Sequence, residues 1–124
     1  MHKVLVIEDD IVVSEMLEIA LLSIPECHVV CVRSVEDARR LLAKGDACDV
    51  LITDIHLPGE DGLSLVETMR SSPDRKELPV IVMTSSREAS LRQKAESLGV
   101  RAFLQKPWSP AGLRNAVHSV LNGT

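Results

Sequence analysis

The chain has 124 residues, 45% hydrophobic and 26% charged, which suits one domain with a real core and excludes a disordered segment. Its net charge is −4 and it has no basic run, so it is not built to grip a nucleic-acid backbone by itself. The apolar stretches fall far short of the roughly 20 residues a membrane span needs, and Met1-His2-Lys3 leads at once into a strand, leaving no room for a signal peptide.

The cysteines are Cys27, Cys31 and Cys48. An odd count without repeated CxxC spacing argues against a disulfide framework and against a zinc site. Each is expected to act as a small buried hydrophobe, in a reducing cytoplasm.

Val4-Leu5-Val6-Ile7 reads as a first strand, apolar on both faces, ending in Glu8-Asp9-Asp10. A helix is predicted from about Ile11 to Ser23, with Val13, Leu17, Ala20 and Ile24 at helical spacing and Pro25 as its stop. Asp10 reads as the N-cap of that helix rather than as a third metal ligand. His28–Val32 is the second strand, and Ser34-Val35-Glu36-Asp37 resembles a capping box. The helix it opens turns Val35, Ala38, Leu41 and Leu42 inward and closes at Gly45.

Asp49–Thr53 is the third strand; Asp54 and the loop Ile55-His56-Leu57-Pro58-Gly59 follow it. A helix is predicted from about Asp61 to Ser71, then a turn at Ser72-Pro73-Asp74. Pro79–Met83 is the fourth strand, finishing in Thr84-Ser85-Ser86. The next helix buries Leu91, Ala95 and Leu98 and ends at Gly99. Arg101–Gln105 is the fifth strand, followed by Lys106-Pro107-Trp108. Ser109 is placed as an N-cap with Pro110 at the first helical position. The last helix carries Leu113, Ala116, Val117, Val120 and Leu121 inward. Trp108 is expected to cover the sheet end beneath it.

Five βα units with short loops require a parallel sheet, right-handed crossovers and helices on both faces. The prediction is an α/β, doubly wound domain spanning residues 1–124. In such a sheet the residues just after strands one, three, four and five share one edge, where open sheets place their ligand sites. Glu8 and Asp9, Asp54, Thr84 and Ser85, and Lys106 should therefore converge. Clustered carboxylates need a cation to stay ionised together. An oxygen-only set suits a hard ion such as Mg2+. Asp54 then reads as a nucleophile toward phosphorus, with Lys106 and the Thr84 hydroxyl stabilising the charge on the transferring group.

Several stretches together resemble the receiver domains of two-component response regulators: Val-Leu-Val-Ile-Glu8-Asp9, Thr53-Asp54-Ile-His-Leu-Pro58-Gly59, Asp61-Gly62-Leu, Met83-Thr84-Ser85 and Gln105-Lys106-Pro107-Trp. The resemblance covers essentially the whole chain. It implies the flavodoxin-like strand order 2-1-3-4-5. It implies that Asp54 is the phosphoacceptor, fed by a sensor histidine kinase or a phosphotransfer protein. It implies Mg2+ held by Glu8, Asp9, Asp54 and the backbone carbonyl of His56. A cis Lys106-Pro107 bond is also implied. So is a switch in which Thr84 moves inward and Phe103 repacks, altering the surface of helix four, strand five and helix five for a downstream effector.

Phe103 stands where many members have tyrosine, so it can fill a pocket but cannot hydrogen-bond when turned out. Glu8, in place of the commoner aspartate, keeps the charge with one extra methylene and should alter metal affinity modestly. Ser85 leaves room for the phosphoryl group. His56 and Ser86 flank the approach of the attacking water and should tune the phosphoryl lifetime. Thr53 is read as a strand residue, and His2, His28 and His118 receive no role.

The expected function is a phosphorylation-controlled binding module that catalyses only its own phosphorylation and dephosphorylation. An aspartyl phosphohydrolase usually needs an acid-base carboxylate two residues after the nucleophile; His56 stands there. A degenerate, phosphate-independent scaffold conflicts with the presence of Asp54, Thr84 and Lys106 together. A stand-alone receiver is the simplest reading, with an input domain excised from a longer regulator as the alternative. Phosphorylation-dependent homodimerisation is left open.

Overall fold

A computed structural model of the chain describes residues 2–45 and 48–123. In chain order the elements are β1 (His2–Ile7), α1 (Ile11–Leu21), β2 (Cys27–Val32), α2 (Val35–Ala43), β3 (Val50–Asp54), α3 (Gly62–Arg70), β4 (Val80–Thr84), α4 (Ala89–Ser97), β5 (Ala102–Gln105) and α5 (Pro110–Asn122). The strands form one parallel sheet in the order β2-β1-β3-β4-β5, the flavodoxin-like arrangement.

Side-chain alternation divides the interior into two layers. Leu5, Ile7, Leu51, Val80 and Val82 face the side covered by α2, α3 and α4, meeting Val35, Ala38, Leu63, Val66 and Ala95. Val4, Val6, Val50, Ile52, Ile81 and Met83 face the other side, meeting Leu17, Ala20 and Leu21 of α1 and Leu113 and Val117 of α5. Trp108 packs on this second layer. Each fully buried aliphatic side chain contributes on the order of 1.5–3 kcal/mol, so the sheet is the rigid part of the molecule.

Short polar caps set where the helices begin. Asp10 Oδ1 accepts from the amides of Val12 and Val13, Ser34 Oγ from Asp37, Asp61 Oδ1 from Ser64, and Ser109 Oγ from Gly112. Asp10 is thus the N-cap of α1, as the sequence suggests. The boundaries differ from expectation by a residue or two, for physical reasons. The α1 helix ends at Leu21, with the amide of its C-cap Leu22 donating to the Glu18 and Ile19 carbonyls, short of Pro25. The third strand runs one residue further than predicted: Asp54 is still in register with Met83 of β4. The acidic residue is therefore the last of the strand, held by the sheet itself.

The cysteines are free thiols, each partly buried and packed against one of the apolar layers. Burial still pushes the Cys31 thiol up to about 11. Among the described residues no helix is long and apolar enough to cross a membrane.

Gly62 opens α3 directly behind β3. A Cβ there would lie 2.2 Å from the Asp54 carbonyl oxygen and 2.6 Å from Thr53 Oγ1. Only glycine lets the helix start so close to the strand that carries Asp54. Gly62→Ala should therefore destabilise the fold by about 1–3 kcal/mol. The check is a lowered urea midpoint at unchanged slope; an unaltered midpoint would show that the strand–helix junction gives way freely.

Candidate functional site

The strand ends bring most of the predicted residues together. Glu8 follows β1, and its amide still donates to the Val32 carbonyl of β2. The Glu8 side chain is only 1% exposed and Asp54 only 6%. Lys106 follows β5, and its own amide donates to the Thr84 carbonyl of β4. From there its ammonium reaches both acids, with Nζ 3.0 Å from Glu8 Oε1 and 2.5 Å from Asp54 Oδ2. The other oxygens are also engaged: Glu8 Oε2 accepts from the Asp10 amide at 3.1 Å and Asp54 Oδ1 from the His56 amide at 3.3 Å. The Lys106-Pro107 bond is cis, as the resemblance implies.

Burial raises the pKa of Glu8; the Asp10 amide and Lys106 pull the other way, and the Asp54 charge adds to the rise. Burial works against the Lys106 ammonium, but its hydrogen bonds with Asp54 and Glu8 outweigh that and raise its pKa. Lys106 therefore stays charged between the two acids.

One carboxylate oxygen each of Glu8, Asp9 and Asp54 lies within 4.8 Å of the others. With all groups ionised, three carboxylates face one ammonium, a formal surplus of two negative charges. An all-oxygen, anionic, partly buried donor set of this kind fits a hard divalent cation such as Mg2+. The Glu8 carboxylate touches both the Lys106 ammonium and the Asp10 amide.

Thr84 is fully buried, and its hydroxyl oxygen accepts from the Ser86 amide at 3.0 Å, leaving its O–H free to donate elsewhere. Ser85 is exposed and Ser86 half-buried, its hydroxyl accepting from the Glu88 amide. The His56 ring is on the exposed side of the loop, and only its amide touches Asp54. Phe103 is half-buried against the α2–α3–α4 layer, and the Arg92 guanidinium lies 5.0 Å from its ring centroid. That stacking belongs to the α4–β5 surface and is worth about 0.5–1 kcal/mol.

Three features of the site have no counterpart in the sequence reading. Gln105 Nε2 donates to the carbonyls of Thr84 and Ser86, bracing the loop after β4. Thr53 Oγ1 donates to the Asp54 carbonyl, so it is more than a strand former. The third is the outer face of α1. All the exposed large hydrophobic side chains among the described residues lie on it or at its C-cap: Ile11, Val12, Met16, Ile19 and Leu22. Its signal was present, since a helix apolar on nearly every side cannot bury all of them in a two-layer fold.

The chain matches the profile of the response regulator receiver domain over residues 4–118. It belongs to that family. The receiver is 33% identical over 120 residues to the transcriptional regulatory protein GltR of Pseudomonas aeruginosa, covering 97% of this chain and 49% of that one. It is 28% identical over 119 residues to a chemotaxis protein CheY homologue of Campylobacter jejuni, covering 96% of this chain and 92% of that one. The chain thus spans half or less of the length of the longer curated relatives it matches. Among solved structures, the chemotaxis response regulator CheY4 of Vibrio cholerae superposes with a TM-score of 0.85 at 25% identity, over 97% of this chain and 98% of that one. Receiver domains are signalling modules, and the flavodoxin-like fold is shared with these relatives.

A cation that binds the folded receiver through these acids must stabilise it. At a tenfold excess over its dissociation constant, Mg2+ should add about 1.4 kcal/mol of stability, a rise in Tm of a few degrees. Glu8→Gln and Asp54→Asn should each remove most of that rise in thermal melts with and without Mg2+. An equal rise in both variants would place the cation elsewhere.

Proposed function

We propose that Asp54 of this receiver accepts a phosphoryl group from a sensor histidine kinase or phosphotransfer protein, and that the modification alters binding of a downstream effector. The supporting observation is the Lys106 ammonium held between Asp54 and Glu8 with Asp9 beside them. Glu8, Asp9, Asp54 and the His56 carbonyl would hold Mg2+. The ion, when bound, would neutralise negative charge on the incoming phosphoryl oxygens.

The chain's own residues then have separable tasks. Asp54 is presented by the end of a buried strand, with Lys106 and the His56 amide fixing the orientation of its carboxylate. One of its oxygens forms the new bond to phosphorus while the bond to the donor nitrogen breaks, its electron pair leaving with the donor imidazole. Phosphorylation of that oxygen removes its negative charge and weakens the pairing with Lys106, whose flexible stem lets the ammonium turn to the phosphoryl oxygens. The Thr84 hydroxyl, now tied to the Ser86 amide, would donate to the phosphoryl group, and its movement would loosen the β4–α4 loop. Phe103 and the Arg92 stacked on it would register that change on the α4–β5–α5 surface. His56 and Ser86 flank the site and would set how readily water reaches the phosphoryl group. The module turns over no metabolite. The domain is proposed to extend over residues 1–124, alone or as the input unit of a longer regulator.

The phosphodonor has to rest on the rim around Asp54. The α1 helix begins immediately after Asp9-Asp10, and its exposed apolar stripe leads away from the acids, with Ile19 69% and Leu22 78% exposed. Met16, Ile19, Ala20, Trp108, Pro110 and Arg114 line a groove of about 260 Å3 beside it. Apolar exposure of this extent marks a binding surface, and we assign it to the donor protein.

Incubation with Mg2+ and acetyl phosphate should add one phosphoryl group by intact mass. The adduct should be lost in Asp54→Asn and in EDTA; an adduct that persists in Asp54→Asn would overturn the assignment. Ile19→Lys should slow transfer by about tenfold from a phosphotransfer protein that phosphorylates the unchanged chain. The same variant should accept phosphate from acetyl phosphate at the normal rate. Equal rates from the protein donor would remove α1 from the docking surface.

A further inference from the structure

The loop between β3 and α3 follows Asp54 directly and contains His56. It has no regular structure from residue 55 to 61. Its base is closed by the Gly62 amide, which donates to the Ile55 carbonyl at 3.0 Å. Its crest is tied to a different element. Arg39 of α2 grips the Glu60 carboxylate through two donors, Nε to Oε1 at 3.0 Å and a terminal nitrogen to Oε2. The same guanidinium donates to Thr68 Oγ1 of α3 at 3.3 Å. One turn earlier on the same face of α2, Glu36 Oε1 accepts from the Glu60 amide at 3.4 Å. The chain passes so close there that a Cβ on Gly59, which has φ +79°, would lie 3.1 Å from that oxygen. Two side chains of α2 thus hold Glu60, one by its carboxylate and one by its amide, with Gly59 passing close beside them.

We infer that the Arg39–Glu60 pair is a positioning clamp that holds the β3–α3 loop in the shape that offers the His56 carbonyl to the cation at Asp54. The inference rests on the phosphoacceptor reading above. Most exposed ion pairs do little, but a bidentate guanidinium–carboxylate pair that closes a network is the exception. Arg39 and Glu60 are each about one-third exposed, whereas the Arg40–Asp37 pair on the same helix is far more open and touches no loop. Mg2+ tolerates little departure from octahedral geometry, so freedom in one ligand-bearing loop should show as lost affinity. Groups that orient metal ligands typically matter by ten- to a hundredfold. A carbonyl on a partly tethered loop should fall at or below the lower end.

The test is a Mg2+ titration of the full chain followed by amide NMR, for wild type, Glu60→Gln, Arg39→Met and an Arg40→Ala control. Amide hydrogen exchange is measured in the absence of Mg2+. Both clamp variants should weaken Mg2+ binding by about three- to tenfold and speed exchange at Leu57–Asp61, with the urea midpoint close to wild type. The control should do neither. The swapped double variant, Arg39→Glu with Glu60→Arg, should recover part of the lost affinity. Unchanged Mg2+ affinity in both clamp variants, or an equal loss in Arg40→Ala, would overturn the clamp while leaving the phosphoacceptor reading intact. A wild-type chain that neither binds Mg2+ nor takes phosphate would overturn both.

Discussion

One ammonium shared by two nearly buried carboxylates, with a third beside them, is the constraint on which the rest of the molecule turns. A carboxylate removed from water is costly unless it is paired and hydrogen-bonded. Lys106 reaches both Glu8 and Asp54 at the end of the sheet and so offsets part of the cost of burying them. The strand order puts β4 between Lys106 and Asp54, so the lysine must span a neighbouring strand. A four-carbon stem with a compact charge at its tip is suited to that reach, and a shorter side chain would not make it. The register of β1, β3, β4 and β5 is therefore as much a property of the site as the acids themselves.

The apolar layers supply that register. Strands buried on both faces cannot slip without exposing their hydrophobic sets. Asp54 gains its fixed direction from being the last paired residue of β3 rather than the first of a loop. Beyond the strand ends the backbone has no ladder, and side chains take over. Asp10 caps α1, Gln105 and Thr84 hold the turn after β4, and Arg39 with Glu36 seats the turn after β3. The result is a sheet buried on both faces whose loops at the site are tethered by individual hydrogen bonds.

Much of this was legible in the sequence because it depends on period and order. Apolar runs that end in Glu8-Asp9, Asp54, Thr84 and Lys106 identify the strands, and a parallel sheet necessarily puts those residues on one edge. The matching family profile is a consequence of the same residues. What was not legible depends on contacts between elements distant in sequence. Glu60 and Arg39 are 21 residues apart and look like ordinary surface charges. Gly62 reads as a helix-start glycine until the Asp54 carbonyl is seen against it. Gln105 reads as a strand-end polar residue until its amide is found on two carbonyls of the neighbouring loop. Helix one was read only in part, since its inward face was predicted and the large apolar side chains on its exposed side, interspersed with Glu15 and Glu18, were left without a role.

The most direct measurement of the central claim is chemical trapping of the acceptor. Acyl phosphates are reduced by borohydride, so an aspartate that carried phosphate becomes homoserine in the peptide that contains it. After treatment with Mg2+ and acetyl phosphate, peptide sequencing by mass spectrometry should find homoserine at position 54 and at no other acidic residue. Homoserine at Asp9 or Asp10 would contradict the account. So would none at all in a chain that also fails to bind beryllofluoride, because a competent carboxylate beside Lys106 should respond to one or the other.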